Sequence, residues 1–275
     1  ILDAGHQTTA ALQVGASDGT VGRVSFKNSL IKNCTSSGLI VHESSTTDNL
    51  EKNTITHCDG FPIILFEGNM DLVKPAAENK LTGNKRDMIA IQGSYDSYTR
   101  RSMVLEKLPI PYCINATERS KVIYIGSKLT IKAGVRIIMS SEAGIRVDGS
   151  DSQKGSITAI GTPNEPIIIE GEEHSKGHWD AIYLLSDNNN FQYCKISDGG
   201  RTQHCCGGGN DKASGMITIG DYYMNFKASA TIQNCTFSNS SEGAIYYKKA
   251  FVRVNSDLLS SNNFNDNSDG DVIVK

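Results

Sequence analysis

Two histidines and a carboxylate stand close together in Glu173-His-Ser-Lys-Gly-His-Trp-Asp180. His174 and His178 are four residues apart, so on a helix they would share a face, and with Asp180 they could ligate a metal. Gly177 and the β-rich sequence on either side argue instead for a surface loop, where no metal is expected. His204-Cys205-Cys206 offers thiol ligands or a disulfide to a distant partner, but the following Gly207-Gly208-Gly209 makes a flexible exposed loop the plainer reading. Loops of that kind often carry binding residues. Asn265-Asp-Asn-Ser-Asp-Gly-Asp271 matches the first half of a calcium loop, with Asn265, Asn267 and Asp269 at alternate positions and Gly270 next. Its closing Glu would fall beyond Lys275, and the segment aligns with Asn239 to Ala244, so a turn is expected. No cofactor is expected; calcium is the one ion the sequence leaves open.

The aromatic residues offer a different chemistry, stacking against sugar rings. Trp179 is the only Trp and is expected to pack inside at a corner, since a lone Trp is generally well buried. Tyr222-Tyr223 and Tyr246-Tyr247 are the better platform. On a strand one ring of each pair points in and the other out. The candidate ligand contacts are therefore His174, His178, Asp180, His204, Tyr222 and Tyr246, with no catalytic residue identified.

The elements that would position these residues are short strands. From Leu129 to Glu170 the chain alternates Val, Ile and Thr runs with Gly, Pro, Asn and Asp, and no run is long enough for a helix. The 275 residues carry 38% hydrophobic residues, 26 Gly and only 6 Pro, a mix suited to many turns around a thin core. A formal charge of −3, with no basic stripe, gives no argument for nucleic acid. No apolar run approaches a membrane span. The chain begins at Ile1 rather than Met. A processed chain is expected, continuing at least on the N-terminal side, with any export signal out of view. Seven Cys, an odd number without a CxxC pair, argue against a full disulfide framework and a zinc ribbon.

Internal repeats define the architecture. Leu30 to Val41 aligns with Thr54 to Leu65 at an offset of 24 residues, placing Ile31 on Ile55 and Cys34 on Cys58. A weaker third copy runs from Asn79 and through Met88-Ile-Ala-Ile91. Thr236 to Ile245 aligns with Asn263 to Val272 at an offset of 27, and Phe191 to Asp198 aligns with Ile232 to Asn239 at an offset of 41. The longer offset implies an insertion from about Gly199 to Ala213. Repeats of this period without a Leu-x-x-Leu-x-Leu pattern predict an all-β chain folded as a parallel β-helix, a solenoid. Ten or eleven coils at about 4.8 Å would stack to roughly 50 Å. Cys34 above Cys58 is expected in an inward apolar ladder, and turn Asn residues can ladder their amides. Asn33, Asn115, Asn234 and Asn239 match glycosylation acceptors, but read first as turn residues. One β-helix is expected over 1–275, divisible into first coils at 1–92, a joint or side loop at 93–120, and a second set at 121–275.

From about Leu108 to Gly200 the sequence resembles a widespread group of bacterial and archaeal secreted proteins with right-handed parallel β-helix repeats, of pectate-lyase-like fold. The matching pieces are Pro109-Ile-Pro-Tyr112, Leu129 to Val135, Thr158 to Thr162, Glu165-Pro-Ile167 with Glu170-Gly171, Gly177 to Ile182, and Tyr193 to Gly200. Ala181 departs from the Gly usual after the Trp-x pair. In overall style the chain also resembles cell-surface proteins of Bacteroidetes. The resemblance implies an exported protein, secreted or held at the outer surface, with a lipid anchor as one means of attachment. It implies no single activity, because the fold hosts lyases, hydrolases and adhesins alike. The Asn-Thr-Asp, Asp-Asp, Gly-His-Gly and Arg-Ile-Lys motifs of polygalacturonase-like hydrolases are missing, and Asp148-Gly-Ser-Asp151 is the nearest approach to a lyase calcium cluster. The expected function is non-catalytic binding of a polysaccharide or a host or cell-surface glycan. The alternative is a polysaccharide lyase or glycoside hydrolase. A site is expected on the interrupting loops, around 172–180 and 199–213.

Overall fold

Val, Ile and Leu at alternate positions of short runs place one side chain in two on a single face, and in the computed structural model those faces close on a common core. The structure describes residues 1–5, 9–16, 18–43, 45–94, 98–118, 120–149, 154–201, 215–220 and 227–275. It is all-β. Among the described residues the helical elements are two three-residue 3-10 turns, Glu67–Asn69 and Pro75–Ala77.

Ten strands form the longest sheet, in chain order: Ala10–Val14, Ser37–Val41, Ile63–Phe66, Ile89–Gln92, Tyr112–Ile114, Arg136–Met139, Ile167–Gly171, Cys194–Ser197, Thr236–Ser238 and Asn263–Asn265. A second sheet stacks Val122–Ile125, Gly144–Asp148, Ile182–Leu185, Gly215–Ile219, Gly243–Tyr247 and Val272–Val274. A third stacks Met103–Leu105, Lys128–Ile131, Ser156–Ile160, Asn189–Gln192, Ala228–Gln233 and Val252–Val254. Two smaller parallel pairs, Arg23–Lys27 with Thr46–Glu51 and Leu30–Lys32 with Thr54–Thr56, complete the N-terminal part. Each pairing between these strands is parallel. From Tyr112 onward the chain visits the long, second and third sheets in turn before returning to the long one. That pairing is compatible with stacked coils. Met103–Leu105 and Tyr112–Ile114 both lie in the stretch read as a joint or side loop, and the long sheet runs through the second of them.

The registers follow the repeats. Ile31 pairs with Ile55 and Leu39 with Ile63; Phe237 pairs with Phe264, and Ile196 with Phe237 across the insertion. One ladder of apolar side chains therefore crosses every strand of the long sheet: Leu12, Leu39, Ile63, Ile89, Tyr112, Ile137, Ile169, Ile196, Phe237 and Phe264. Only its two ends are partly open to solvent. Phe237 and Phe264 stack at the C-terminal end, ring centroids 5.5 Å apart.

The turns are satisfied by the same stacking. Asn53 Nδ2 donates to the Phe26 carbonyl and Asn79 Nδ2 to the Leu50 carbonyl, both at 2.7 Å, while Asn79 Oδ1 accepts from Asn53 N and Nδ2. This is the expected amide ladder. Asn33, Asn234, Asn239 and Asp266 hold positive φ between 54° and 60°, so the Asn-rich segments, the apparent calcium loop included, are left-handed turns. Cys34 lies buried with Cys58, and Cys194 with Cys235, all in the core as free thiols.

Two outcomes follow from this packing. Ile169→Ala should destabilise the protein by about 2–5 kcal/mol, and Ile168→Ala, on the outer face, by less than about 1 kcal/mol; urea denaturation of both measures the contrast. Burial pushes the Cys113 thiol up to about 12, and Cys34, Cys58, Cys194 and Cys235 are equally enclosed. In a Cys205→Ser, Cys206→Ser background, native protein should resist alkylation at all five until it unfolds.

Candidate functional site

The connection 172–181, between Ile167–Gly171 and Ile182–Leu185, carries three of the residues singled out from sequence. It is a loop, not a helix, so the shared-face geometry for His174 and His178 does not arise. His174 is exposed at φ +50°, and its Nδ1 lies 3.2 Å from Asp198 Oδ2. Asp198 is itself buried, and its carboxylate also accepts from Gly171 N–H at 3.1 Å, Ser197 Oγ at 2.9 Å and Asn239 Nδ2 at 2.7 Å. Its bonding capacity is taken up in tying three consecutive turns together. His178 is buried over Gly171, where a Cβ would come within 3.1 Å of its own. His178 Nδ1 is 3.7 Å from Glu173 Oε2. Asp180 is 0% exposed and its backbone bonds to Ala143 and Gly200. Among the described residues no group of three His, Cys, Asp or Glu is arranged to hold a metal ion.

A depression of about 410 Å³ beside this loop is lined by Ser141, Glu173, Lys176, His178, Arg201 and Ser241. Its cations are already matched: Lys176 to Asp266 at 2.8 Å and Arg201 to Glu142 at 3.2 Å. Trp179 is fully buried, its Nε1 donating to the Ser197 carbonyl at 2.7 Å, as the corner position predicts. The exposed aromatic platform expected at Tyr246 is corrected. Tyr246 does point outward while Tyr247 packs on the core, but Tyr246 is only 2% exposed, in register between Thr218 and Ile273. An outward position on this sheet is not a solvent position, because Tyr183 and Thr218 in the same column are buried too. His204, Tyr222, Tyr223, Cys205 and Cys206 lie outside the described residues.

A larger groove, about 560 Å³, lies on the outer side of the long sheet in its N-terminal half. Along each strand there two inward residues flank an outward one and a second outward residue follows: Leu39 and Val41 point in with Ile40 and His42 out, Ile63 and Leu65 in with Ile64 and Phe66 out, Ile89 and Ile91 in with Ala90 and Gln92 out. Phe66 and Gln92 are register partners. The His42 ring stacks on Phe66, centroids 4.8 Å apart and planes 23° from parallel. Gln13 Nε2 lies 2.9 Å from His42 Nε2. Ile40 contributes to the floor, and Glu43, Ser94, Thr117 and Glu118 to the rim. Beyond the groove the outward residues Ile40, Ile64, Ala90 and Cys113 form an apolar cluster with Phe61, separate from the main core. Arg86 covers it, 4.3 Å above the Phe61 ring, and is held there by both Glu172 oxygens at 2.6 and 2.7 Å.

Glu67 stands directly behind this groove. The 3-10 turn that it opens is anchored by Asn69 Nδ2, which donates to the His42 and Ser45 carbonyls at 2.9 Å. Glu67 is 1% exposed; its Oε2 accepts from Ser94 N–H at 2.8 Å, and its Oε1 is buried without a hydrogen bond. Burial pushes its carboxyl up to about 7, against hydrogen bonds from its own backbone N–H and from Ser94. Burial also pulls the His42 imidazole below its ordinary value, which keeps it neutral. No Lys or Arg is among the described residues lining the groove. The arrangement offers ring faces for stacking and amide, hydroxyl and carboxyl groups for hydrogen bonding. Reading the sequence did not find it, although the 24-residue alignment that sets Leu39 on Ile63 also sets His42 on Phe66.

The Glu67 carboxyl gives a pH dependence with a defined sign. Its pKa is higher folded than unfolded, so between about 4.5 and 7 the unfolded chain releases a proton that the native state keeps. Stability should fall as pH rises through that window and level off above it, by up to roughly 3 kcal/mol from this group. Glu67→Gln should remove that component, so thermal unfolding at pH 5 and 8 should separate the variant from the native chain only at the higher pH.

No known protein family, curated protein or solved structure matches this chain.

Proposed function

We propose that the chain is a right-handed parallel β-helix of an exported protein, secreted or held at the outer cell surface, and that it binds an extended glycan without transforming it. Parallel strands that return to the same sheet through crossovers favour the right hand by a wide margin. The observation that carries the function is the groove. Its lining comes from five successive repeats, contributing Gln13, His42, Phe66, Gln92 and Thr117 in turn. Four strand spacings of about 4.8 Å give it a length of roughly 19 Å, which suits a linear polymer rather than a small metabolite. An apolar floor with a few polar groups is the ordinary make-up of a binding cleft. The missing lyase and hydrolase motifs support a binding role.

Glu67 favours a second reading, glycoside hydrolysis, because a buried carboxyl still protonated near neutral pH is what a general acid requires. Lysis of an acidic polysaccharide is less well supported, since no cation lines the described groove to meet its carboxylates.

A glycan array probed with the native chain should show binding. Phe66→Ala should weaken the strongest hit by roughly tenfold, the value of a lost stacking face, while thermal stability stays within a few degrees. An array without hits would overturn the reading, and release of reducing ends or unsaturated products from a bound glycan would replace it with the enzymatic one.

A further inference from the structure

Four of the five described cysteines sit at one repeated corner of the fold. Each follows a residue with positive φ: Asn33 at 58°, His57 at 56°, Tyr193 at 50° and Asn234 at 56°. The strand registers set Lys32 on Thr56 and Lys195 on Thr236, so Cys34 lies over Cys58 and Cys194 over Cys235. The backbone agrees, with Cys34 N–H donating to the His57 carbonyl at 3.1 Å. On the rung beyond each pair the position passes to Asn. Asn84 Oδ1 accepts from Cys58 N–H at 3.1 Å, and Asn262 Oδ1 from Cys235 N–H at 2.8 Å. The same unit, two Cys and then Asn, thus occurs once in each half of the chain. All four side chains turn into the main core. Neighbouring rungs put equivalent Cα atoms about 4.8 Å apart, inside the roughly 4.4–6.8 Å that a disulfide spans. The thiols of each pair also act on one another. Burial, and next Cys34, push Cys58 up to about 12; Cys235, and next burial, push Cys194 up. Cys113 is the contrast: it is just as buried, but its register neighbours are Ala90 and Ile138.

We propose that Cys34 with Cys58, and Cys194 with Cys235, are disulfide sites that close while the coils stack in an oxidising compartment, and that Cys113 stays a thiol. The reduced chain keeps all five as free thiols. The oxidant is a disulfide donor, either glutathione disulfide or the disulfide of a thiol oxidase. One thiolate of the pair attacks the donor's S–S bond to give a mixed disulfide, and its neighbour then displaces the second donor sulfur. One S–S bond breaks and one forms; two protein thiols are oxidised, and the donor leaves as two thiols that carry the two protons. Closure accompanies folding, because in the finished core the four sulfurs are at most 2% exposed and the donor has no access. The second bridge encloses the insertion and ties together the two rungs that it separates. The compartment rests on the export reading, but the geometry does not, and neither depends on glycan binding.

The test refolds reduced Cys205→Ser, Cys206→Ser protein in a buffer of reduced and oxidised glutathione, which reads the geometry without any assumption about export. The product is then unfolded in guanidinium with iodoacetamide and no reductant. Alkylation at Cys113 alone is expected, with peptide mapping finding the two bridges named. Unfolding with reductant before alkylation should label all five. The oxidised protein should melt about 5–15 °C above the reduced one, because each bridge restricts the unfolded chain. Alkylation of all five sites after oxidative refolding would overturn the proposal. Bridges that involve Cys113, or that join one pair to the other, would overturn it too. Where the double variant fails to refold, mapping the native chain reads the same four residues.

Discussion

Everything in this protein depends on identical positions of successive repeats lying directly over one another. The ladder from Leu12 to Phe264 passes through all ten strands of the long sheet, and each of its interior side chains is sealed by the one above and the one below. Burying a side chain of this kind contributes about 1.5–3 kcal/mol, but only while the register holds. A slip of one residue would turn the whole inward set to the outside. The backbone hydrogen bonds and the apolar ladder therefore enforce each other, and neither could persist alone in strands three to six residues long.

The same constraint explains why so many conspicuous polar residues are structural. A stack of turns brings equivalent polar groups together every 4.8 Å or so, and each needs a partner. Asn53 and Asn79 solve this with a shared amide pattern. Asp198 solves it by accepting from Gly171, Ser197, Asn239 and His174 at once. Where charges accumulate on the outside they alternate across repeats, as in Lys176 with Asp266 and Arg201 with Glu142. The histidines and carboxylates of the 172–181 loop belong to this work of holding turns in place.

The groove is the exception to that economy. Its outward residues do not repeat in kind: His42, Phe66 and Gln92 succeed one another at equivalent positions. A site assembled from one residue per repeat inherits the length and straightness of the stack, which is the physical basis for matching it to a polymer.

The sequence by itself determined the β character, the repeat boundaries and the pairing register. The alignments that set Ile31 on Ile55 and Phe237 on Phe264 reappear as strand pairs, because stacking like on like is what a repeated alternation of inward and outward residues encodes. It also determined the buried corner of Trp179 and the thiols of Cys34 and Cys58, whose types suit only an interior. It did not locate the groove, and it read Tyr246 as solvent-facing. Both depend on what covers the outer side of a sheet, which local periodicity does not describe. Alternation separates in from out, but only the tertiary structure decides which outward positions are roofed over, as at Tyr246 and Cys113, and which are left open, as at Phe66. The groove lies where the repeat is regular and only its outward residues change, since five strands in register bring together side chains more than a hundred residues apart, from Gln13 to Thr117.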